Sequence, residues 1–250
     1  MGVRGFTEDG FLDGRIRVRQ LRRGFRSGLD AVMLAAAVPA LSHDTVLELG
    51  SGAGIASLCL AARVPNCTIT GFEVDAELVS LANDNATANR MADRVTFLQS
   101  DVVNLHSELR TEFNHVFCNP PFHGVESEMS PDESRALALQ DSGDLSRWLE
   151  TGVKRTASNG TFIVILRADR LGEALGALPE NGVSVFPLWP KPGTIAKRVL
   201  IQFRRGKRTP LTLLPGLTLH EANGRYTPEA DSILRNAAAV SINSPQRPRR

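Results

Sequence analysis

Between Thr45 and Ile165, short apolar runs alternate with longer stretches in which apolar positions recur every three or four residues. The short runs fit strands covered on both faces, and the longer stretches fit helices that bury one stripe. Their alternation predicts βαβ units and a parallel sheet with helices on both sides, an α/β fold. Thr45 to Leu49 reads as the first strand and Ile55 to Ala62 as a helix opened by a glycine-rich turn. A second strand (Thr68 to Phe72), a second helix (Ala76 to Asn89), a third strand (Val95 to Leu98) and a fourth (His115 to Cys118) follow. Leu145 to Thr156 has helical period, Asn159-Gly160 supplies a turn, and Thr161 to Leu166 reads as a buried strand. Val183 to Phe186 and Val199 to Phe203 are joined by a loop too short for a parallel crossover, so they are expected to be antiparallel.

The 250 residues, 42% hydrophobic, suffice for one sizeable core. Cys59, Cys67 and Cys118 are scattered without CxxC spacing and read as buried thiols, as expected in a reducing compartment. No apolar run is long enough to span a bilayer, and a soluble, cytoplasmic protein is expected. The net charge of +2 does not by itself announce a nucleic-acid partner, but the cations cluster. Arg15, Arg17, Arg19, Arg22, Arg23 and Arg26 crowd one stretch, and Lys197, Arg198, Arg204, Arg205, Lys207 and Arg208 flank the last strand. Both groups adjoin segments expected at the active edge of the sheet, where they would bind an RNA backbone.

The first strand runs into Glu48-Leu49-Gly50-Ser51-Gly52-Ala53-Gly54. Glycines at this point let the backbone turn tightly and approach a ligand at the carboxyl end of the strand. The spacing is G-x-G-x-G rather than the G-x-G-x-x-G of a dinucleotide site, and Glu48 is expected to place a carboxylate at the mouth, where a pyrophosphate would be repelled. S-adenosylmethionine, with an ammonium and a sulfonium and no phosphate, is compatible with that mouth. Glu73, about twenty residues beyond the last glycine, is the expected acceptor for two ribose hydroxyls. Asp75 competes for that role but also suits a helix cap. Asp101, with Val102 beside it, is the expected partner of the adenine amine, against the simpler reading of a turn residue.

The fourth strand leads into Asn119-Pro120-Pro121-Phe122. An aryl or amide NH2 is a poor nucleophile because its lone pair is delocalised, so methyl transfer requires that lone pair to be aimed at the donor. The Asn119 side-chain oxygen and the Pro120 carbonyl are two acceptors for the amine hydrogens. Consecutive prolines fix the backbone and remove competing N–H groups, and Phe122 offers a face for stacking a flipped base. A structural proline turn is the simpler alternative. His123 is not required by this chemistry, and no metal is expected.

The glycine turn together with the Asn-Pro-Pro-Phe turn resembles the class I amino-methyltransferases that act on adenine, cytosine, guanine N2 or glutamine. The segment Gln20 to Ala35, and the end of the chain around Lys197 to Leu200, Leu217 to Leu219 and Tyr226-Thr227, resemble the bacterial tRNA(Val) adenine-N6 methyltransferase family. That resemblance implies a Rossmann-like seven-stranded sheet in the order 3-2-1-4-5-7-6, S-adenosyl-L-methionine as cofactor, and methylation of the adenine beside the anticodon. It also implies that the segment around Asp30 lies over the cofactor, although Asp30 equally suits a helix cap. Phe122-His123 is similar to guanine-N2 enzymes of ribosomal RNA as well, and a protein-glutamine methyltransferase shares the turn. A non-catalytic cofactor- or RNA-binding module and a dinucleotide oxidoreductase are the readings from other classes. On this basis residues 1–44 form a basic segment and helix packed on the core, residues 45–240 the methyltransferase domain, and residues 241–250 a disordered basic tail.

Overall fold

A computed structural model of the chain describes residues 5–22, 26–105, 111–121 and 145–242. It opens with an antiparallel hairpin, β1 (Phe6–Phe11) and β2 (Ile16–Leu21), in a sheet of its own. In β2, Ile16, Val18 and Gln20 are buried while Arg17 and Arg19 point outward, as period two requires of a one-sided strand. Helix α1 (Leu29–Ala37) is almost wholly buried. The βαβ units follow: β3 (Thr45–Leu49), α2 (Ile55–Arg63), β4 (Thr68–Glu73), α3 (Ala76–Ala88) and β5 (Val95–Gln99). Then come β6 (Phe113–Cys118), α4 (Leu145–Arg155), β7 (Thr156–Arg167), α5 (Leu171–Ala177), β8 (Val183–Trp189) and β9 (Arg198–Arg204). Two short strands, β10 (Thr212–Leu213) and β11 (Leu217–Thr218), and helix α6 (Pro228–Asn236) complete the described elements.

In the main sheet, seven strands lie in the order β5-β4-β3-β6-β7-β9-β8, which is the expected 3-2-1-4-5-7-6. Strands β3 to β7 pair in parallel, and β9 is antiparallel to both neighbours. Among the described residues the sheet has nine strands rather than seven, because β10 and β11 pair in parallel with β8 at its outer edge. The gap between these two falls at Phe186-Pro187, where proline removes a ladder donor. Asn159-Gly160 lies inside β7, next to a register irregularity against β6, rather than in a turn before the strand.

Successive residues of a strand enter opposite layers. Val46, Ile163 and Ile165 join the core under α1, α2 and the hairpin, while Leu47, Leu49, Val164 and Leu166 join the core under α4 and α5. Helix α4 buries Leu145, Trp148, Leu149 and Gly152, the i, i+3, i+4, i+7 stripe of an amphipathic helix. The hairpin is fastened by side chains that imitate a neighbouring strand. Asn85 on α3 and Asn89, the residue that caps its C-terminus one turn later, each pair with both backbone groups of a β2 residue, Asn85 with Arg19 and Asn89 with Arg17. Asn85 also donates to the Ala53 carbonyl at 3.0 Å, linking the hairpin to the glycine turn. No described helix is long and apolar enough to cross a membrane.

Candidate active site

The glycine turn leaves β3 at the carboxyl edge of the sheet. Gly50, Gly52 and Gly54 all have positive φ (69°, 54° and 85°). Gly50 lies against an indole: a Cβ there would come within 2.6 Å of the Trp148 ring, so the glycine permits both the turn and the covering tryptophan. Above Gly52 nothing lies within 4 Å of a Cβ position, so the backbone there faces open space.

Four buried polar atoms at this edge have no hydrogen-bond partner among the described residues: Ser51 Oγ, Ser100 Oγ, Asn119 Oδ1 and Trp148 Nε1. Ser51, Ser100 and Asn119 lie just past the ends of β3, β5 and β6. An unpaired buried polar atom costs about 1–3 kcal/mol, so a group of them at one edge indicates partners that arrive with a ligand. Trp148 and Ser100 were not singled out in the sequence. The buried stripe of α4 is the signal that would have drawn attention to Trp148.

Glu73 sits at the end of β4, nearly buried, and accepts hydrogen bonds from the backbone N–H groups of Gly52 (2.8 Å), Val74 (2.9 Å) and Asp75 (3.1 Å). Burial nonetheless raises its pKa above the ordinary 4.5. A carboxylate has about four acceptor sites, so with three taken one remains, on Oε2. Asp75 caps α3, accepting from Glu77 and Leu78 N–H. Asp101 accepts from Val103 N–H and the Asn104 amide in a turn beyond β5. Val102 is buried with Leu49, Phe72 and Trp148, and its carbonyl accepts from Thr151.

Glu48 is placed differently from expectation. Its carboxylate does not stand at the mouth of the turn: it is buried beneath it, bonded to the backbone N–H and hydroxyl of Ser57 on α2. Burial pushes its pKa up to about 8, so the group is largely neutral at pH 7 and the argument from pyrophosphate repulsion does not hold. Strand parity explains the direction, because Glu48 faces the same layer as Val46, the layer of α2.

Asn119, Pro120 and Pro121 continue from β6, whose Cys118 pairs with Leu49 of β3, so the turn emerges beside Gly50. Pro120 is buried. The Pro121 carbonyl accepts from Arg170 Nη1 at 3.4 Å, and Arg170 is held by Glu173 through Nε (2.9 Å) and Nη2 (2.7 Å). Phe122 and His123 lie outside the described residues. Asp30, in the first turn of α1, is not the cap residue, which is Gly28. Its carboxylate is paired with Arg198 Nε of β9 at 2.8 Å.

The basic clusters divide. Lys197 and Arg198 lie at the carboxyl edge, since Arg198 pairs with Arg167 at the end of β7. Arg204 pairs with Thr161 instead, so Arg204, Arg205, Lys207 and Arg208 belong to the opposite edge, where Arg205 bonds Glu112 and the Thr156 carbonyl. Placing that group at the active edge is therefore incorrect: an antiparallel strand carries its two ends to opposite edges. In the N-terminal cluster, Arg19 pairs with Asp84 and Arg26 with Asp9. Arg23 lies outside the described residues. Among the described residues no group of three or more His, Cys, Asp or Glu side chains is placed to hold a metal ion.

Residues 28–139 match the family described as methyltransferase small domain. A tRNA1(Val) (adenine(37)-N6)-methyltransferase of Yersinia enterocolitica is 30% identical over 232 residues, covering 90% of this chain and 90% of the relative. The chain belongs to that methyltransferase family. The Aeromonas hydrophila protein of the same name is 29% identical over 223 residues, 87% of this chain and 92% of the relative. Among solved structures, one from Agrobacterium tumefaciens described as a predicted O-methyltransferase superposes with a TM-score of 0.73 at 25% identity, over 86% of this chain and all of the other. The protein is thus a methyltransferase with the Rossmann-like fold of its class.

Proposed function

We propose that the protein transfers a methyl group from S-adenosylmethionine to the N6 amine of an adenine in tRNA, at the position its family relatives are named for. The observation that carries this reading is Asn119 Oδ1, buried and without a hydrogen-bond partner among the described residues, in an Asn-Pro-Pro turn beside the glycine turn. The cofactor fits the residues present. Glu73 has an acceptor site left on Oε2 for a ribose hydroxyl, the open backbone at Gly52 admits the ligand, and Ser51, Ser100 and Trp148 have polar atoms unsatisfied among the described residues to offer it. Asp101 and Val102 are assigned to the adenine end. When bound, S-adenosylmethionine supplies an electrophilic methyl on a sulfonium.

The chain's own part is orientation. Asn119 Oδ1 and the Pro120 carbonyl accept the two hydrogens of the target amine, which turns its lone pair out of conjugation with the ring. Arg170 steadies the turn through the Pro121 carbonyl, where proline offers no N–H to do so. Phe122 is assigned to stacking the extruded base. No strong base is required, because the proton leaves after the nitrogen has become cationic.

The test is transfer of radiolabelled methyl into bulk tRNA, ribosomal RNA, DNA and protein, followed by nucleoside mass spectrometry. N6-methyladenosine in tRNA is the expected product. N2-methylguanosine in ribosomal RNA, methylglutamine, or an O-methylated product would replace this reading.

A further inference from the structure

The described cations at the carboxyl edge are mostly neutralised locally. Arg167 is paired with Asp169, Arg170 with Glu173 and Arg198 with Asp30. Lys191 and Lys197, on the connection between β8 and β9, are exposed and have no carboxylate partner among the described residues. The same connection carries Ile195, which is 80% exposed. This connection is contiguous with the catalytic turn: the Lys197 carbonyl accepts from Ala168 N–H, two residues before the Arg170 that reaches the Pro121 carbonyl. From β6 to β8 there are three strand steps of about 4.8 Å, so the rim begins roughly 15 Å from Asn119.

An aromatic pair is fastened to this rim. His220 and Tyr226 form an isolated β-bridge and their rings stack with centroids 4.7 Å apart at 25°. The Pro190 carbonyl accepts from both the backbone N–H and Nδ1 of His220, so Nδ1 carries the proton and the ring is fixed in orientation. His220 covers part of the tyrosine ring, yet Tyr226 remains 37% exposed. Arg225 beside it is also exposed. The nearest acid in the turn, Glu221, accepts from the Asn223 amide. An exposed, pre-oriented aromatic face flanked by unpaired cations is the chemistry that holds unpaired nucleotides: the ring stacks a base of any identity and the ammonium groups take phosphates.

We propose that the β8–β9 connection and the His220–Tyr226 turn form a docking platform for single-stranded RNA, which seats the nucleotides flanking the target base while the target itself enters at Asn119. This rests on the reading of the protein as an RNA methyltransferase and names the surface by which it holds its substrate. Lys191 and Lys197 contact phosphates, and Tyr226, backed by His220, stacks on an unpaired base.

The test uses the full chain and two probes, an unmethylated transcript of the tRNA and a fully paired RNA duplex without unpaired bases, with binding measured against salt in the absence of turnover. Lys191→Gln combined with Lys197→Gln is expected to weaken tRNA binding and to reduce the slope of log affinity against log salt by about 1.5. Tyr226→Ala is expected to weaken tRNA binding about tenfold or more while leaving duplex binding unchanged, and Tyr226→Phe is expected to retain affinity. In turnover the variants should raise KM for tRNA and leave kcat at saturating RNA within about twofold. All three positions are exposed, so thermal stability and S-adenosylmethionine affinity serve as folding controls. Unchanged affinity and salt slope, or equal losses on tRNA and duplex for Tyr226→Ala, would overturn the platform. Failure of the wild-type protein to methylate tRNA would count against the proposed reaction, while the binding measurements decide the platform separately.

Discussion

Asn119 and Glu73 both present carboxyl- or amide-type oxygens at the edge of the sheet, but their surroundings separate their tasks. Glu73 is already engaged by three backbone N–H groups, one of them from the glycine turn, so it fixes the turn before any ligand arrives. Glu73→Ala is expected to weaken S-adenosylmethionine binding by ~1.5–3 kcal/mol, the worth of a charged hydrogen-bonding partner, and calorimetry measures it directly. An unchanged affinity in a folded variant would move the ribose role elsewhere. Asn119 Oδ1 has no partner among the described residues, and its proposed partner is the reacting amine. Asn119→Ala is therefore expected to lower single-turnover methyl transfer by roughly two to three orders of magnitude, by analogy with the loss of an oxyanion-hole donor. Cofactor affinity should stay within about threefold of wild type. Asn119→Asp keeps an acceptor and should retain more activity than Ala; Ala activity within tenfold of wild type would reduce Asn119 to a turn residue.

At the scale of elements, the glycine turn depends on a hairpin that does not belong to the main sheet. Asn85 is buried and satisfies three partners: both backbone groups of Arg19 and the Ala53 carbonyl. Asn85→Ala leaves all three unpaired and is expected to destabilise the fold by about 2–4 kcal/mol, with faster hydrogen exchange concentrated in β2 and residues 51–54. Exchange that stays slow in both segments would show that packing of Ile16 and Val18 holds the hairpin without it. This coupling was not legible in the sequence. The strands of the main sheet were, because β3, β6 and β7 are covered on both faces and must therefore be continuous apolar runs. In β2 Ile16, Arg17, Val18 and Arg19 alternate as a one-sided strand should, but beyond β1 its other edge is paired with the side chains of Asn85 and Asn89 rather than with a strand, and that partner is not announced by the local pattern. The direction of Glu48 was within reach, since two-residue periodicity alone sends it to the opposite layer from Leu47 and Leu49. Strand parity also decides the fate of the last basic cluster: once β9 is antiparallel, Arg198 and Arg204 must lie at opposite ends of the sheet.

At the scale of the whole molecule, two of the buried titratable groups among the described residues, His115 and Glu48, make stability depend on pH in opposite senses. His115 lies at the far edge of the sheet between Thr161 Oγ1 (2.7 Å) and Asp44 Oδ2 (3.1 Å), and burial lowers its pKa below 6.5. The unfolded chain takes up a proton there that the folded protein refuses, so this stability is present above about 6.5 and is lost as pH falls through the folded value. Glu48 works the other way. Its folded pKa of about 8 stands above the ordinary 4.5, so between those values the folded protein keeps a proton that the unfolded chain releases. Its contribution is full below about 4.5 and declines as pH rises to 8, and the desolvation responsible is of the order of a few kcal/mol. Glu48→Gln replaces the neutral acid with a neutral group of the same shape that still accepts from Ser57, and it removes the titration. The difference in Tm between Glu48→Gln and wild type is therefore expected to grow in favour of the variant from pH 5 to pH 8 and to level off above about pH 9. With roughly 3 °C per kcal/mol for a chain of this size, the change amounts to several degrees. Taking the difference at each pH cancels His115 and every other group common to both proteins. A Tm difference that is constant across this range would show that Glu48 is ionised in the folded state, and would restore the acidic character of the turn that its burial otherwise removes.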